Sequence, residues 1–96
     1  MTIRAKFKVD SIEITQGISY PNATPGKGVD YSKGVPVELR TIKMSPVYGN
    51  NDPNHENTKF WAATPHGSLQ LGTINPGAWA QFEIGKEYYL DFTPTD

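Results

Sequence analysis

The stretch that decides the fold is IRAKFKV at residues 3–9, where apolar and basic side chains alternate without interruption. Side chains two residues apart lie on the same face of a β-strand, so the alternation predicts a strand with one buried and one solvated face. The pattern shifts at Asp10 and Ser11 and resumes with Ile12 and Ile14, which predicts a bulge or bend. The chain therefore begins with a bent strand.

Further segments also have strand patterns. A second strand is predicted from Val35 to Met44, and it repeats the phase shift of the first. Lys59–Ala63 and Ser68–Ile74 flank the turn sequence TPHG at residues 64–67, which predicts a hairpin. Glu87–Thr93 alternates again and predicts the last strand.

One short helix is expected before the last strand. Asn75 is a favourable N-cap, and Pro76 suits the first helical position because that position has no need of its amide hydrogen. Ala78, Trp79 and Phe82 then fall at spacings that can share one side of a helix. One or two helical turns are predicted.

Five strands and one short helix predict a mainly β fold. The bent strands favour a small antiparallel barrel or a strongly curved sheet of the OB-like or SH3-like kind. With 96 residues, the chain is expected to form a single domain over residues 1–96. Long loops are predicted at residues 16–34 and 45–58, and they leave few apolar residues for an isolated core. We therefore expect a homo-oligomer, with a monomer carrying mobile loops as the alternative.

Composition excludes several classes of protein. Nine Lys and Arg against ten Asp and Glu give a net charge of -1, which disfavours sequence-independent binding to nucleic acid. A hydrophobic content of 36% without a long apolar run predicts no membrane span. The absence of cysteine excludes disulfides and thiolate metal sites. The start MTIRAKF lacks the apolar segment of a signal peptide, so a cytoplasmic location is expected.

The titratable residues do not form a recognisable catalytic or metal-binding motif. Asp52, His55 and Glu56 lie close together in the second loop, but their spacing matches no zinc or calcium pattern. His66 lies in a turn, and no serine is placed to be activated by it. We therefore expect no catalytic residues, no metal and no cofactor.

Aromatic and basic residues provide a candidate ligand site. Phe60 and Trp61 are adjacent and would point to opposite faces of a strand, so one of them is expected outside the core. Another protomer, a loop or a planar ligand could cover it. For a nucleotide ligand, Tyr20, Tyr48 and Trp61 are the candidates for stacking on the base, and Arg40 and Lys43 are the candidates for the phosphate.

The basic stripe Arg4, Lys6 and Lys8 offers a different hypothesis, namely binding of single-stranded nucleic acid. If the first and last strands pair, however, Glu87 and Asp91 would lie beside this stripe and neutralise it. This pairing makes nucleic acid the weaker candidate partner.

Several segments resemble a group of small uncharacterised bacteriophage proteins. They are RTIKMSPV at residues 40–47, FWAATPHGS at 60–68 and FEIGKEYYLDFTP at 82–94, and residues 1–9 resemble the start of those proteins. The loop at residues 16–34 looks longer than the usual connection in the group. The resemblance carries no assigned activity and transfers no functional residue.

A phage origin would imply an accessory protein in the cytoplasm of the infected host cell. Because such proteins often act by binding, we expect a non-enzymatic protein that sequesters a small anionic ligand, such as a cyclic nucleotide, in evasion of host defence. One alternative is a virion or host-protein interaction module. The other is a barrel that binds single-stranded nucleic acid.

Overall fold

The computed structural model describes residues 3–21, 28–29, 31–49 and 52–95. In chain order the elements are β1 (Ile3–Ser19), a 3₁₀ turn (Tyr31–Lys33), β2 (Val35–Pro46), α1 (Glu56–Trp61), β3 (Leu69–Thr73), α2 (Pro76–Trp79) and β4 (Glu87–Phe92). The predicted mainly β fold class is confirmed.

The four strands form one antiparallel sheet in the order β3-β2-β1-β4. β3 and β4 lie at opposite edges of this sheet, which is open. The predictions of a barrel and of five strands are therefore wrong. A small barrel such as the OB-fold closes with about five strands, and one of the five predicted strands is helical here.

β1 carries the predicted bulge and is longer than predicted. Its register against β2 shifts between Val9 and Ser11, as the change of phase in the sequence indicates. The strand then continues to Ser19, and β2 continues to Pro46, so both long loops are shorter than predicted. Residues 22–27, 30, 50 and 51 of those loops lie outside the described residues.

The phase shift predicted within β2 is wrong. β2 pairs with β1 without interruption on either side of Thr41 and Ile42. The two apolar sets of this strand instead lie on opposite faces of a regular strand, because Val37 and Leu39 differ in parity from Ile42 and Met44.

The segment predicted as a strand at residues 59–63 lies mostly in α1, so the predicted hairpin with Ser68–Ile74 is also wrong. The imidazole Nδ1 of His55 accepts a hydrogen bond from the Asn57 backbone N–H and caps the helix. Ala62 ends it in the left-handed region at φ 54°. A short apolar run cannot distinguish strand from helix by its periodicity, and here the cap decides.

α2 matches its prediction. The Asn75 side chain accepts a hydrogen bond from the Gly77 backbone N–H, and Pro76 occupies the first helical turn. Trp79 and Phe82 both pack against the core.

The core is small and lies on one face of the sheet. Its buried hydrophobic side chains are Ala5, Phe7, Val9, Ile42 and Met44. We call this side the core face and the other side the opposite face. Residues paired across an antiparallel ladder point to the same side, so the register assigns each paired strand residue to one of these faces.

The far half of the β1–β2 ladder projects from the rest of the sheet. β4 pairs with β1 only up to Lys8, and β3 pairs with β2 only down to Arg40. Residues 15–19 and 35–39 therefore form a two-stranded ribbon, which we call the arm. The radius of gyration is 17.4 Å, against ~12 Å for a compact domain of this length, so the molecule is elongated.

Candidate functional site

The five residues predicted to bind a ligand lie in separate parts of the molecule. Arg40 and Lys43 have opposite parity on β2, so their side chains leave opposite faces of the sheet. Tyr20 follows β1 beside the arm, Tyr48 follows β2, and Trp61 ends α1. This arrangement does not place the two cations and three rings around one ligand.

Both cations predicted to bind phosphate are held by carboxylates. The Arg40 Nε atom lies 2.8 Å from Glu38 Oε2, and its guanidinium carbon lies 4.7 Å from the centre of the Trp79 ring. The Lys43 Nζ atom lies 2.8 Å from Glu13 Oε2, and the hydrogen bond from Lys43 lowers the pKa of Glu13. A phosphate would have to compete with these carboxylates.

Trp61 is part of the packing around the core. Its ring is half-buried, with centroids 6.1 Å from Phe7 and 4.6 Å from Phe60. Its indole N–H donates to the His66 carbonyl oxygen at 3.0 Å. The ring therefore has apolar and polar partners within the chain, which fits the alternative that a neighbouring segment covers it.

The Asn57 side chain joins α1 to the edge of β1 by hydrogen bonds, at the point where β2 has ended. Its side chain is fully buried, and its Oδ1 accepts from the Lys6 backbone N–H at 2.6 Å. Its Nδ2 donates to the carbonyl oxygens of Lys6 at 2.7 Å and Val47 at 2.6 Å. Beyond the end of β2, the Asn57 amide thus takes the place of a peptide unit of a neighbouring strand. The sequence analysis did not identify Asn57.

The side chains of the second loop have structural roles. Asp52 Oδ1 accepts the Asn54 backbone N–H at 2.9 Å, and His55 is the helix cap described above. Glu56 accepts the Tyr89 hydroxyl at 3.0 Å. Within the described ranges, no group of three His, Asp or Glu side chains is arranged to hold a metal ion.

Two cations of the basic stripe, Arg4 and Lys6, lie beside carboxylates, as predicted from strand pairing. Arg4 and Asp91 are cross-strand neighbours, and the guanidinium donates to both carboxylate oxygens, at 2.6 and 3.1 Å. This hydrogen bond lowers the pKa of Asp91 and raises that of Arg4. The Lys6 Nζ atom lies 3.9 Å from carboxylate oxygens of both Glu56 and Glu87.

Tyr89 contacts both cations and one carboxylate of this group. The Arg4 guanidinium carbon lies 4.3 Å from the centre of the Tyr89 ring, and the Lys6 Nζ atom lies 5.3 Å from it. The Tyr89 hydroxyl donates to Glu56, whose pKa is lowered first by its own backbone N–H and then by this hydroxyl. The opposite face at β1 and β4 therefore carries a network of two cations and three carboxylates.

A cleft of about 360 Å³ opens beside Tyr48, between the end of β2 and the end of α1. The described residues of its lining are uncharged and, apart from Tyr48, small or medium in size: Tyr48, Gly49, Thr58, Ala62, Ala63, Thr64 and Pro65. The Tyr48 side chain is 58% exposed. A Cβ atom on Gly49 would clash with Thr58 Oγ1, so glycine is needed for the loop to approach the helix.

The arm exposes several apolar side chains. Ile18 lies on the core face of the arm and is 52% exposed. Val35 lies on the opposite face of the arm and is 45% exposed. At its tip the Tyr20 and Tyr31 rings meet edge to face at 5.4 Å. Gly34 allows this tip to form, because a Cβ there would lie 2.6 Å from Ile18 Cγ2.

The sequence contains a pattern that predicts the part of β1 lying in the arm, although a loop was predicted there from residue 16. Ile12, Ile14 and Ile18 share one parity, and this pattern extends β1 beyond the point where the loop was predicted to begin. Asn57 has no such signal, because one buried amide leaves no periodic pattern in the sequence.

No known protein family matches the chain, and no curated protein or solved structure is similar to it. The resemblance to bacteriophage proteins therefore remains a prediction. Among the described residues, no helix has the length and apolar character needed to cross a membrane.

Proposed function

We propose that this protein is a non-enzymatic interaction module that contacts another protein through the arm. The observation that supports this proposal is the position of the arm, which extends past both edge strands and exposes apolar side chains on both faces. An isolated two-stranded ribbon is marginally stable in water. Contact with a partner would bury these side chains and stabilise the ribbon.

The chemistry of the arm favours a protein over a nucleic acid. Residues 15–19 and 35–39 include a single charged residue, Glu38, which is paired with Arg40. Binding to nucleic acid depends on unpaired cations, whereas interface cores are depleted of charge and rich in aromatic residues. Ile18 and the Tyr20–Tyr31 pair at the tip have this composition.

The partner that we propose is a host or virion protein with an apolar surface, in keeping with the resemblance to phage proteins. The location that follows is the cytoplasm of the infected cell. The paired stripe of Arg4 and Lys6 supports a protein partner over single-stranded nucleic acid, because its cations are already neutralised.

The test compares the wild type with Ile18→Ser and with Ile84→Ser as a matched control. Ile84 is 65% exposed in the turn before β4, so its substitution removes a similar apolar surface away from the arm. Proteins captured from infected cells by the wild type are purified, and their affinity for each variant is measured by calorimetry. Burying an isoleucine contributes ~1.5–3 kcal/mol, so Ile18→Ser should weaken binding ~10- to 100-fold.

Ile84→Ser should leave the affinity unchanged. Equal binding by the wild type and Ile18→Ser, or equal loss in both variants, would contradict a contact through the arm. Far-UV circular dichroism of each variant shows whether the sheet has formed.

A nucleotide ligand remains a second candidate, and the cleft beside Tyr48 is the place that supports it. Its volume of about 360 Å³ is within the ordinary range for small ligands, ~300–1,000 Å³, and an exposed tyrosine borders it. Because the described lining is uncharged, a neutral ring would fit it better than a phosphate would. Arg40, Lys43, Tyr20 and Trp61 lie outside that lining.

A thermal-shift screen against mono-, cyclic and dinucleotides, with an oligonucleotide for comparison, tests this candidate. A ligand at ~100 times its Kd adds ~2.7 kcal/mol, which should raise Tm by more than ~10 °C in a domain of this size. Tyr48→Ala should abolish the shift. No shift with any nucleotide would reject the ligand and leave the protein-interaction proposal in place.

A further inference from the structure

The outer edge of β4 presents backbone groups that β1 does not reach. The backbone N–H and C=O of Lys6 point away from β4, because they bond to Asn57 and Val47. Backbone groups alternate in direction along a strand, so Ala5 and Phe7 pair with Leu90 and Tyr88 of β4. The backbone groups of Tyr89 and Asp91 therefore face outward.

In the part of the chain that the structure describes, β4 is an edge strand without the usual features that prevent one strand from pairing with another. Exposed edges are ordinarily protected by lysine, proline, a bulge or a covering segment. β4 has the sequence EYYLDF, which contains no lysine or proline, and its pairing with β1 is regular. Its carboxylates Glu87 and Asp91 are drawn toward the same sheet by Lys6 and Arg4.

We propose that two copies of this chain pair antiparallel through β4, with the two-fold axis at Leu90. Tyr89 and Asp91 of one copy would then exchange backbone hydrogen bonds with Asp91 and Tyr89 of the second copy. The two four-stranded sheets would form one continuous sheet of eight strands. In this register even-numbered residues of β4 lie opposite even-numbered residues of the second copy. The core faces of the two copies therefore lie on the same side of the joined sheet.

The apolar side chains on the core face are self-complementary in this register. Tyr88 lies opposite Phe92 of the second copy, and Leu90 lies opposite Leu90. Phe92 and Ile3 are 54% and 53% exposed in the single chain. They border an open groove of about 480 Å³ together with Asp91, Thr93 and Pro94. The second copy would cover part of this apolar surface.

The charges on the opposite face are complementary in the same register. Asp91 lies opposite Tyr89 of the second copy, and the ring of that tyrosine is covered by its own Arg4 and Lys6 at 4.3 and 5.3 Å. Each carboxylate therefore approaches a second pair of cations. This complementarity favours a second copy over an unrelated peptide strand.

The first test measures molar mass by light scattering for the wild type, Phe92→Lys, Leu71→Lys and Ile18→Ser. The wild type should have twice the monomer mass of 10.6 kDa, and Phe92→Lys should have the monomer mass. Leu71→Lys is the matched control, because Leu71 is an exposed apolar residue on the core face of the other edge strand, β3. It should remain a dimer.

A monomeric wild type would overturn the proposal. If Phe92→Lys is dimeric and either Leu71→Lys or Ile18→Ser is monomeric, the contact between the copies lies at β3 or at the arm. That result would also overturn the proposal. β4 lies apart from the arm, so failure here leaves the proposed contact of the arm with a partner protein untouched.

A second test does not depend on how well Phe92→Lys folds. The chain has no cysteine, so single-cysteine variants report one pair of sites each. Two Leu90→Cys residues would face each other across the axis and should form an intermolecular disulfide under mild oxidation. In Phe92→Cys the two thiols would be offset by four residues, ~13 Å, and should not cross-link. Equal cross-linking of both variants, or none in Leu90→Cys, would overturn the register.

Discussion

Among single residues, Asn57 has the largest expected effect on stability. Replacing it with alanine leaves the Lys6 backbone N–H and the Val47 carbonyl without their partner in a buried place. An unsatisfied buried polar group costs ~1–3 kcal/mol, so we expect Asn57→Ala to lower the free energy of unfolding by ~2–5 kcal/mol. Urea denaturation monitored by circular dichroism measures this change.

Two variants separate the role of the amide from helix capping. Asn57→Asp keeps an acceptor for Lys6 N–H but cannot donate to the two carbonyl oxygens, so it should also be strongly destabilising. His55→Ala removes the cap bond to the Asn57 backbone and the weak contact of the imidazole with Glu56, and it should cost ~1 kcal/mol. If Asn57→Ala costs no more than His55→Ala, the buried amide does not fasten α1 to the sheet.

Three paired carboxylates predict loss of stability in acid. The pKa of Asp91 is lowered by its hydrogen bond with Arg4, that of Glu13 by Lys43, and that of Glu56 by its own backbone N–H and Tyr89. A lowered pKa in the folded state gives stability that is present above the unfolded value of ~4 and is lost as the pH falls through the folded value.

We therefore expect Tm to decrease below about pH 4 as these three groups become protonated. Asp91→Asn should make the decrease shallower, because one of the three groups no longer titrates. Glu83→Gln is the matched control, since Glu83 lies outside these pairs, and it should retain the slope of the wild type. A steeper decrease in Asp91→Asn would contradict this assignment. Thermal denaturation at a series of pH values measures all three proteins.

At the scale of elements, the root of the arm depends on close contact between β1 and its neighbours. A Cβ on Gly17 would lie 2.9 Å from Ile74 Cγ2 and 3.0 Å from Leu39 Cβ. We expect Gly17→Ala to cost ~1–3 kcal/mol through overpacking. A Cβ on Gly72 would lie 3.7 Å from Thr41 Oγ1, an ordinary contact, so Gly72→Ala should be neutral or slightly stabilising.

Chemical denaturation of the two glycine variants gives the comparison. Both glycines lie in strands on the opposite face, so the general cost of fixing a glycine backbone is the same for each. Equal stabilities would show that Leu39 and Ile74 do not close over Gly17.

The elements differ in how far the sequence predicted them. The bulge in β1 and the capped α2 were predicted correctly, because a change of phase and an Asn-Pro cap are local signals. Residues 59–63 were predicted wrongly because their apolar run has no clear period and because Asn57, which binds α1 to the backbone of Lys6, acts on a position 51 residues away. Local patterns cannot contain a contact of that range.

The arm should open more readily than the base of the sheet. Its residues 15–19 and 35–39 have one neighbouring strand each, whereas residues 5–8 of β1 lie between two strands or between a strand and Asn57. Hydrogen exchange should therefore be faster in the arm than at Ala5, Phe7 and Ile42. Adding the captured partner should slow exchange in the arm. Uniform protection along β1 would contradict an independent arm.

At the scale of the whole molecule, the candidate site depends on topology that composition cannot give. The prediction of Arg40 and Lys43 as one phosphate clamp assumed that both side chains meet, and their opposite parity on β2 separates them. Pairing of β1 with β4 predicts carboxylates beside Arg4 and Lys6, and the structure has both the pairing and these contacts. The open edge of β4 follows only once the strand order is known.

The small core predicts that folding and association are linked. Among the residues that the structure describes, five hydrophobic side chains are buried, so pairing through β4 should contribute much of the stability of each chain. A tenfold change in concentration alters the dimer equilibrium by 1.4 kcal/mol, about 0.7 kcal/mol for each chain. At ~4–8 °C per kcal/mol, Tm should rise by ~3–6 °C for each tenfold increase in protein concentration.

Phe92→Lys should have a lower Tm that does not change with concentration, whereas Leu71→Lys should retain the slope of the wild type. Differential scanning calorimetry over a hundredfold range of concentration measures the slopes, and a flat wild-type profile would mean that the single chain is stable on its own small core.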